Sequence, residues 1–86
     1  MKIGDTVIAI EDIHGQRGVV IKRHAAGVIK HIHKFTPNIG VEWKDNINGH
    51  NLEGHIYNRN GWYCEDYELS LSKAAILAKR LHKRGL

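Results

Sequence analysis

The sequence predicts a mainly β domain followed by an α-helix. Short apolar runs with a two-residue period dominate the first 71 residues, and clusters of Gly and Asn separate them. The period becomes that of an amphipathic helix only after residue 71. Because 86 residues can bury only one modest core, we expect a single sheet-based domain over residues 1–71 and a basic amphipathic helix within residues 72–86.

The N-terminal segment alternates as strands do in a covered sheet. Val7 and Ala9 fall on one face of the first predicted strand, and Ile8 falls on the other. Since both faces are apolar, we expect this strand to be well covered. Residues 12–18 hold two glycines at a spacing that suits a tight connection with a positive-φ residue or a bulge, and residues 19–22 form a second predicted strand.

The middle of the chain predicts a hairpin, two more strand regions and a long loop. Residues 24–38 alternate weakly, so we interpret them as a hairpin-like insertion. Residues 39–43 form a strand whose Trp43 is a core candidate. Residues 44–61 are rich in Asn and Gly without an apolar period, which indicates a long loop. Beyond it, short strands flank the acidic turn at Glu65 and Asp66.

The last segment combines a helical period with a cationic face. Ser70 or Ser72 suits the start of this helix and Gly85 its end. The apolar stripe consists of Ala74, Leu77, Ala78 and Leu81. The opposite face carries Ile76 among the cations Lys79, Arg80, Lys83 and Arg84. An apolar residue within a cationic face is typical of a contact surface, and the narrow stripe leaves a homodimer open as a further interpretation.

The net charge of +4 belongs to this segment. Residues 1–69 hold eight Lys and Arg against nine acids, which gives −1, whereas residues 70–86 hold five cations and no acid. The single cysteine excludes an internal disulfide, and no apolar run approaches the roughly 18 residues of a membrane-spanning helix. We therefore expect a cytoplasmic protein that does not enter membranes.

Two groups of residues resemble those of a known family. The motif G-D-x-V at residues 4–7, followed by G-x-x-G-x-V at residues 15–20, resembles the start of KOW-type, SH3-like small barrels. The later I-G-V-E-W, N-G-H-N-L-E-G, G-W-Y and E-L-S-L segments are similar to short bacteriophage-encoded barrel proteins. The resemblance implies a partly open five-stranded barrel and a binding role, in the host cytoplasm if a phage encodes the chain. It covers neither residues 24–38 nor the predicted helix.

Metal binding is one hypothesis raised by the seven histidines. His31 and His33 would project from one face of a strand, with His14 or His24 as a third ligand, but exposed polar histidines are the simpler interpretation. His50 and His55 lack the spacing of a helical metal motif. We expect His50 to hydrogen-bond within its loop and His55 to be exposed. No metal and no cofactor is predicted.

Catalysis finds less support in the sequence. Cys64 lies in a predicted strand beside two aromatic residues, where a buried small hydrophobic role is expected. The acids at residues 65–68 fit a solvated turn, and no Gly-rich phosphate loop precedes a helix. We predict a protein that is not an enzyme and has no catalytic residues.

Binding to nucleic acid is the leading prediction. Cations of the hairpin and the helix would contact the DNA or RNA backbone, and the predicted contact residues are Lys22, Arg23, Lys30, Lys34, Ile76, Lys79, Arg80, Lys83 and Arg84. Bases would stack on Trp43, Tyr57, Trp62 or Tyr63, although both Trp also suit the core. The alternative is a module that docks on an acidic host protein of transcription, translation or nucleic-acid cleavage.

Overall fold

The computed structural model describes residues 1–72, which form seven strands and two short turns of 3-10 helix. The strands are β1 (Thr6–Ala9), β2 (Ile13–Gly15), β3 (Gly18–Ile21), β4 (Ala26–Ile32), β5 (Ile39–Trp43), β6 (Gly61–Cys64) and β7 (Leu69–Leu71). The 3-10 turns are Leu52–Gly54 and Asp66–Glu68. Apart from Ser72, the predicted helix lies outside the described residues, as do Ile76, Lys79, Arg80, Lys83 and Arg84.

The strands form one five-stranded sheet and one separate hairpin. The sheet has the order β6-β5-β4-β1-β7, and every neighbouring pair is antiparallel. β2 and β3 form the hairpin, which Gly15 and Gly18 close. The connection predicted over residues 12–18 is shorter than expected, because Ile13–Gly15 form β2, but Gly18 has the expected positive φ, +119°. The mainly β prediction is confirmed. Within residues 1–72, β6 and β7 lie at the two edges of the sheet and do not pair with each other, so the sheet is not closed into a barrel.

The core lies on one face of the sheet. Val7 and Ala9 of β1 and Val41 of β5 are fully buried there, and the β2–β3 hairpin adds Ile13 and Ile21. This arrangement follows from the two-residue period, because alternate side chains of a strand point to the same face. Within residues 1–72, no helix has the length and apolar content needed to span a membrane.

Residues 24–38 contribute a central strand instead of an inserted hairpin. β4 pairs with β1 on one side and with β5 on the other, so the five-stranded sheet depends on it. A bulge between Ile29 and His31 shifts the register of the β4–β5 pair. Since a bulge adds one residue to a strand, it interrupts the alternation from which strands are recognised in a sequence. The pattern of this segment is weak for that reason.

Candidate functional site

The loop from residue 44 to residue 60 covers the outer face of the sheet, opposite the core. Its Leu52 is fully buried and its Ile56 is 8% exposed, although neither belongs to the main core cluster. The loop approaches β6 closely because Gly61 has no side chain. Backbone bonds in both directions join His50 and Gly61, at 3.0 and 2.9 Å. The Asn- and Gly-rich sequence therefore forms a docked covering with a small apolar centre of its own.

A left-handed turn stands at the tip of this loop. Leu52 and Glu53 have φ values of 52° and 58°, which non-glycine residues seldom adopt. Two side chains hold the turn: His50 Nδ1 accepts from the Leu52 N–H at 3.1 Å, and Asn51 Oδ1 accepts from the Gly54 N–H at 3.2 Å. The predicted role of His50 in tying down its loop is confirmed.

A glycine in β5 brings two side chains of non-adjacent strands together. Gly40 pairs with His31 of β4 on one side and with Tyr63 of β6 on the other. A Cβ atom at Gly40 would lie 2.9 Å from the Tyr63 ring. Because this space is open, a 2.6 Å hydrogen bond joins His31 Nδ1 and the Tyr63 hydroxyl across β5.

The loop and the sheet together form a cluster of four histidines. We define the histidine cluster as His31, His33, His50, Glu53, His55 and Tyr63. His55 lies over His31 with ring centroids 3.8 Å apart and ring planes 15° from parallel. His33 Nε2 lies 3.4 Å from the Glu53 carboxylate. The exposed position predicted for His55 is confirmed, but its stacking on His31 was not foreseen.

Burial favours the neutral form of two histidines in this cluster, His31 and His50. Loss of solvent, followed by repulsion from His55, lowers the pKa of His31. Loss of solvent also lowers the pKa of His50, and together with Glu53 it raises the pKa of Tyr63. Neutral imidazoles at His31 and His50 add no positive charge to the cluster near neutral pH.

The histidines do not converge as metal ligands do. Among residues 1–72, no three His, Cys, Asp or Glu side chains are arranged to hold a metal ion. His31 and His55 stack face to face, and one nitrogen of His31 is engaged by Tyr63. His14 belongs to β2 and His24 precedes β4, so neither is brought into a ligand set with His31 and His33.

The described cations of the predicted contact surface do not form one patch. Lys22 and Arg23 precede β4, whereas Lys34 follows it, and the seven residues of β4 span about 20 Å. Lys30 lies on β4 and pairs with Glu42 at 3.9 Å. Arg23 donates its backbone N–H to Asp12. Only Lys30 and Lys34 therefore lie near the histidine cluster.

Exposed aromatic rings extend the cluster along the outer face. Phe35 is 72% exposed and its ring centroid lies 6.2 Å from that of His33, while Tyr57 is fully exposed. The ring row is defined as Phe35, His33, His31 and His55, together with Tyr57, which lines the same surface pocket as His55. Trp43, by contrast, is only 1% exposed, which excludes it from base stacking and confirms the core interpretation. Phe35 was missed because its isolated position in the sequence carries no strand period.

Cys64 and the acidic turn contribute to the fold. Cys64 is fully buried, and burial raises the pKa of its thiol far above the usual range. Glu65 and Glu68 form reciprocal hydrogen bonds between side chain and backbone that cap the 3-10 turn. The thiol is consequently protonated and inaccessible at neutral pH, as expected for a core residue.

Acidification from pH 7.5 to 5.5 is expected to destabilise the fold. The lowered pKa values of His31 and His50 mean that the folded chain binds fewer protons than the unfolded chain, whose histidines titrate near 6.5. The free energy of unfolding therefore decreases as pH falls through about 6.5. Thermal melts of the wild type and of His31→Gln/His50→Gln test this. An equally steep pH dependence in the double variant contradicts it, and exposed His14→Gln is the control.

No protein-family profile, curated protein sequence or solved structure shows a significant match to this chain.

Proposed function

We propose that this chain is a non-catalytic binding module for single-stranded nucleic acid, built on an SH3-like, phage-type barrel. The antiparallel five-stranded sheet with unpaired edges is compatible with a partly open barrel of this kind. The function rests on the outer face of the sheet, because fold alone does not determine what a small barrel binds.

The ring row is the observation that carries the proposal. Successive centroids from Phe35 through His33 and His31 to His55 lie 6.2, 6.0 and 3.8 Å apart. Aromatic and imidazole rings at the surface stack with nucleobases irrespective of base identity, because every base has a π-face. Single strands expose their bases for such contacts, whereas a duplex buries them. The row therefore favours a single strand over a duplex.

Cations adjoin the row and supply phosphate contacts. Lys34 stands between His33 and Phe35 in the sequence, and Lys30 precedes His31. Residues 1–69 nevertheless carry a net charge of −1, so stacking has to provide much of the affinity of the sheet. The five cations beyond residue 69 would add the salt-dependent part of the affinity for nucleic acid.

Removing an exposed ring is expected to weaken binding without affecting the fold. Phe35→Ala and Tyr57→Ala should each raise the Kd for labelled oligo-dT and oligo-rU by about 5- to 150-fold, which corresponds to about 1–3 kcal/mol per stacked base. Fluorescence anisotropy over a salt series gives the affinities. Tyr67→Ala is the matched control, because Tyr67 is a 66% exposed tyrosine outside the row. No binding at low salt, or an equal loss in Tyr67→Ala, counts against the proposal.

The alternative function is docking on an acidic host protein of transcription, translation or nucleic-acid cleavage. The feature that favours it is Ile76, which the helical period places among four cations. Ile76→Glu should then remove specific partners in a pull-down from host lysate while leaving oligonucleotide affinity nearly unchanged. Retention of every partner by the variant would contradict the docking hypothesis.

A further inference from the structure

A second surface lies at the edge of the sheet, away from the exposed end of the ring row. An open groove of about 430 Å³ separates β2 from β6 and the 3-10 turn that follows it. Its apolar and aromatic lining includes Ile13, Trp62, Tyr63 and Tyr67. Tyr67 is 66% exposed, so its ring is accessible to a partner.

The backbone of β6 offers hydrogen-bonding groups beside this groove. The Trp43 N–H donates to the Asn60 carbonyl at 2.8 Å, which makes these two residues a hydrogen-bonded pair of the β5–β6 ladder. Two residues further along, Val41 and Trp62 form the next such pair. Because bonded and non-bonded pairs alternate in an antiparallel ladder, the N–H and C=O groups of Gly61 and Tyr63 point away from β5. Gly61 bonds to His50 of the loop. Tyr63 therefore presents its backbone groups at the outer edge, where an extended chain can pair with them.

The negative charge of the groove favours a positively charged partner segment. Glu65 and Glu68 line it, and no Lys or Arg does among the described residues. Loss of solvent and then Glu68, Glu65, Glu11 and Asp66 raise the pKa of Tyr67, which reflects a negative field at this ring. Such a field repels phosphates and attracts Lys and Arg, and an exposed tyrosine face adds a cation–π contact.

We propose that this groove binds an extended basic segment of a partner protein. The main chain of that segment pairs with the edge of β6 at Tyr63. A Lys or Arg side chain lies against the Tyr67 ring, close to the carboxylates of Glu65 and Glu68. The groove shares His50 and Tyr63 with the histidine cluster, but none of the five ring-row residues lines it. The module would then join a single strand on one face to a basic protein segment at its edge.

An NMR titration of the full chain tests the inference. The probe is an eight-residue peptide of alternating lysine and valine, and its control replaces every lysine with glutamate. We expect saturable shifts at the Tyr63 and Tyr67 amides and at the Trp62 indole with the lysine peptide alone. No shifts, equal binding of the glutamate peptide, or shifts confined to Phe35 and Tyr57 would overturn the proposal.

Variants separate the groove from the ring row. Tyr67→Ala should weaken the lysine peptide by about 2- to 5-fold, the range of an exposed cation–π contact, and Asp66→Asn should weaken it at low salt. Both side chains are exposed, so the fold should persist. Phe35→Ala should leave peptide affinity unchanged. Retained affinity in Tyr67→Ala, or an equal loss in Phe35→Ala, would overturn the proposed position of the cation.

Discussion

Trp43→Ala is expected to lower the free energy of unfolding by about 3–5 kcal/mol, the range for removal of a buried aromatic side chain. Trp43 is the largest fully buried side chain in residues 1–72, and its ring packs beside Gly27 of the neighbouring strand. A small domain has few kilocalories of stability in reserve, so this variant should be largely unfolded at 37 °C. Chemical denaturation followed by circular dichroism measures the change.

Trp43→Phe is the matched comparison. The indole Nε1 is buried and has no hydrogen-bond partner among the described residues. Replacing the indole with a phenyl ring therefore removes an unsatisfied polar group along with some apolar contact. We expect the free energy of unfolding to fall by about 1–2 kcal/mol, well below the decrease for Trp43→Ala. Equal destabilisation of the two variants would contradict an unsatisfied indole N–H at Trp43.

The second large effect is expected from Gly61→Ala, which should lower the free energy of unfolding by about 3 kcal/mol. This value is in the upper part of the range for overpacking. An added Cβ atom would lie 2.6 Å from the His50 carbonyl oxygen and 2.6 Å from Leu52 Cγ. Because the first of these atoms belongs to the backbone, the loop has to move as a unit. Leu52 then loses its burial, and the histidine cluster loses His50 and His55.

Gly40→Ala provides the comparison for this prediction. Its Cβ atom would lie 2.9 Å from the Tyr63 ring and 3.1 Å from the His31 carbonyl oxygen, so the shortest contact is with a ring that can rotate and the backbone contact is less severe than at Gly61. We expect about half the destabilisation of Gly61→Ala, together with loss of the hydrogen bond between His31 and Tyr63. Urea denaturation ranks the two variants. A Gly61→Ala variant as stable as the wild type would contradict the docked position of the loop.

Much of the fold follows from the sequence because its strands keep a regular period. The burial of Val7, Ala9 and Trp43 was predictable from alternation alone, as was the long loop from its Asn and Gly content. The central position of β4 could not be predicted, because the bulge near Lys30 interrupts the two-residue period of the strand. A strand with one extra residue loses its pattern even when it lies at the centre of a sheet.

The histidine cluster could be predicted only in pieces. The His31/His33 pair and the His50/His55 pair are each visible in the sequence, but nothing in the spacing indicates that they meet. Their contact depends on Gly40 and Gly61, where missing side chains let the loop and the strands approach. Such space is a tertiary property, and a glycine in a strand does not reveal which neighbour will fill it.

The close approach at Gly40 also determines how this surface can diverge among related chains. A side chain at that position separates His31 from Tyr63 and breaks the hydrogen bond between them. Selection then no longer couples the two positions. Chains that retain glycine there should vary His31 and Tyr63 as a pair, for example by exchanging the imidazole for another hydrogen-bonding group. Chains that lose the glycine should vary the two positions independently. Paired variation across an intervening strand would identify relatives that preserve the same outer face.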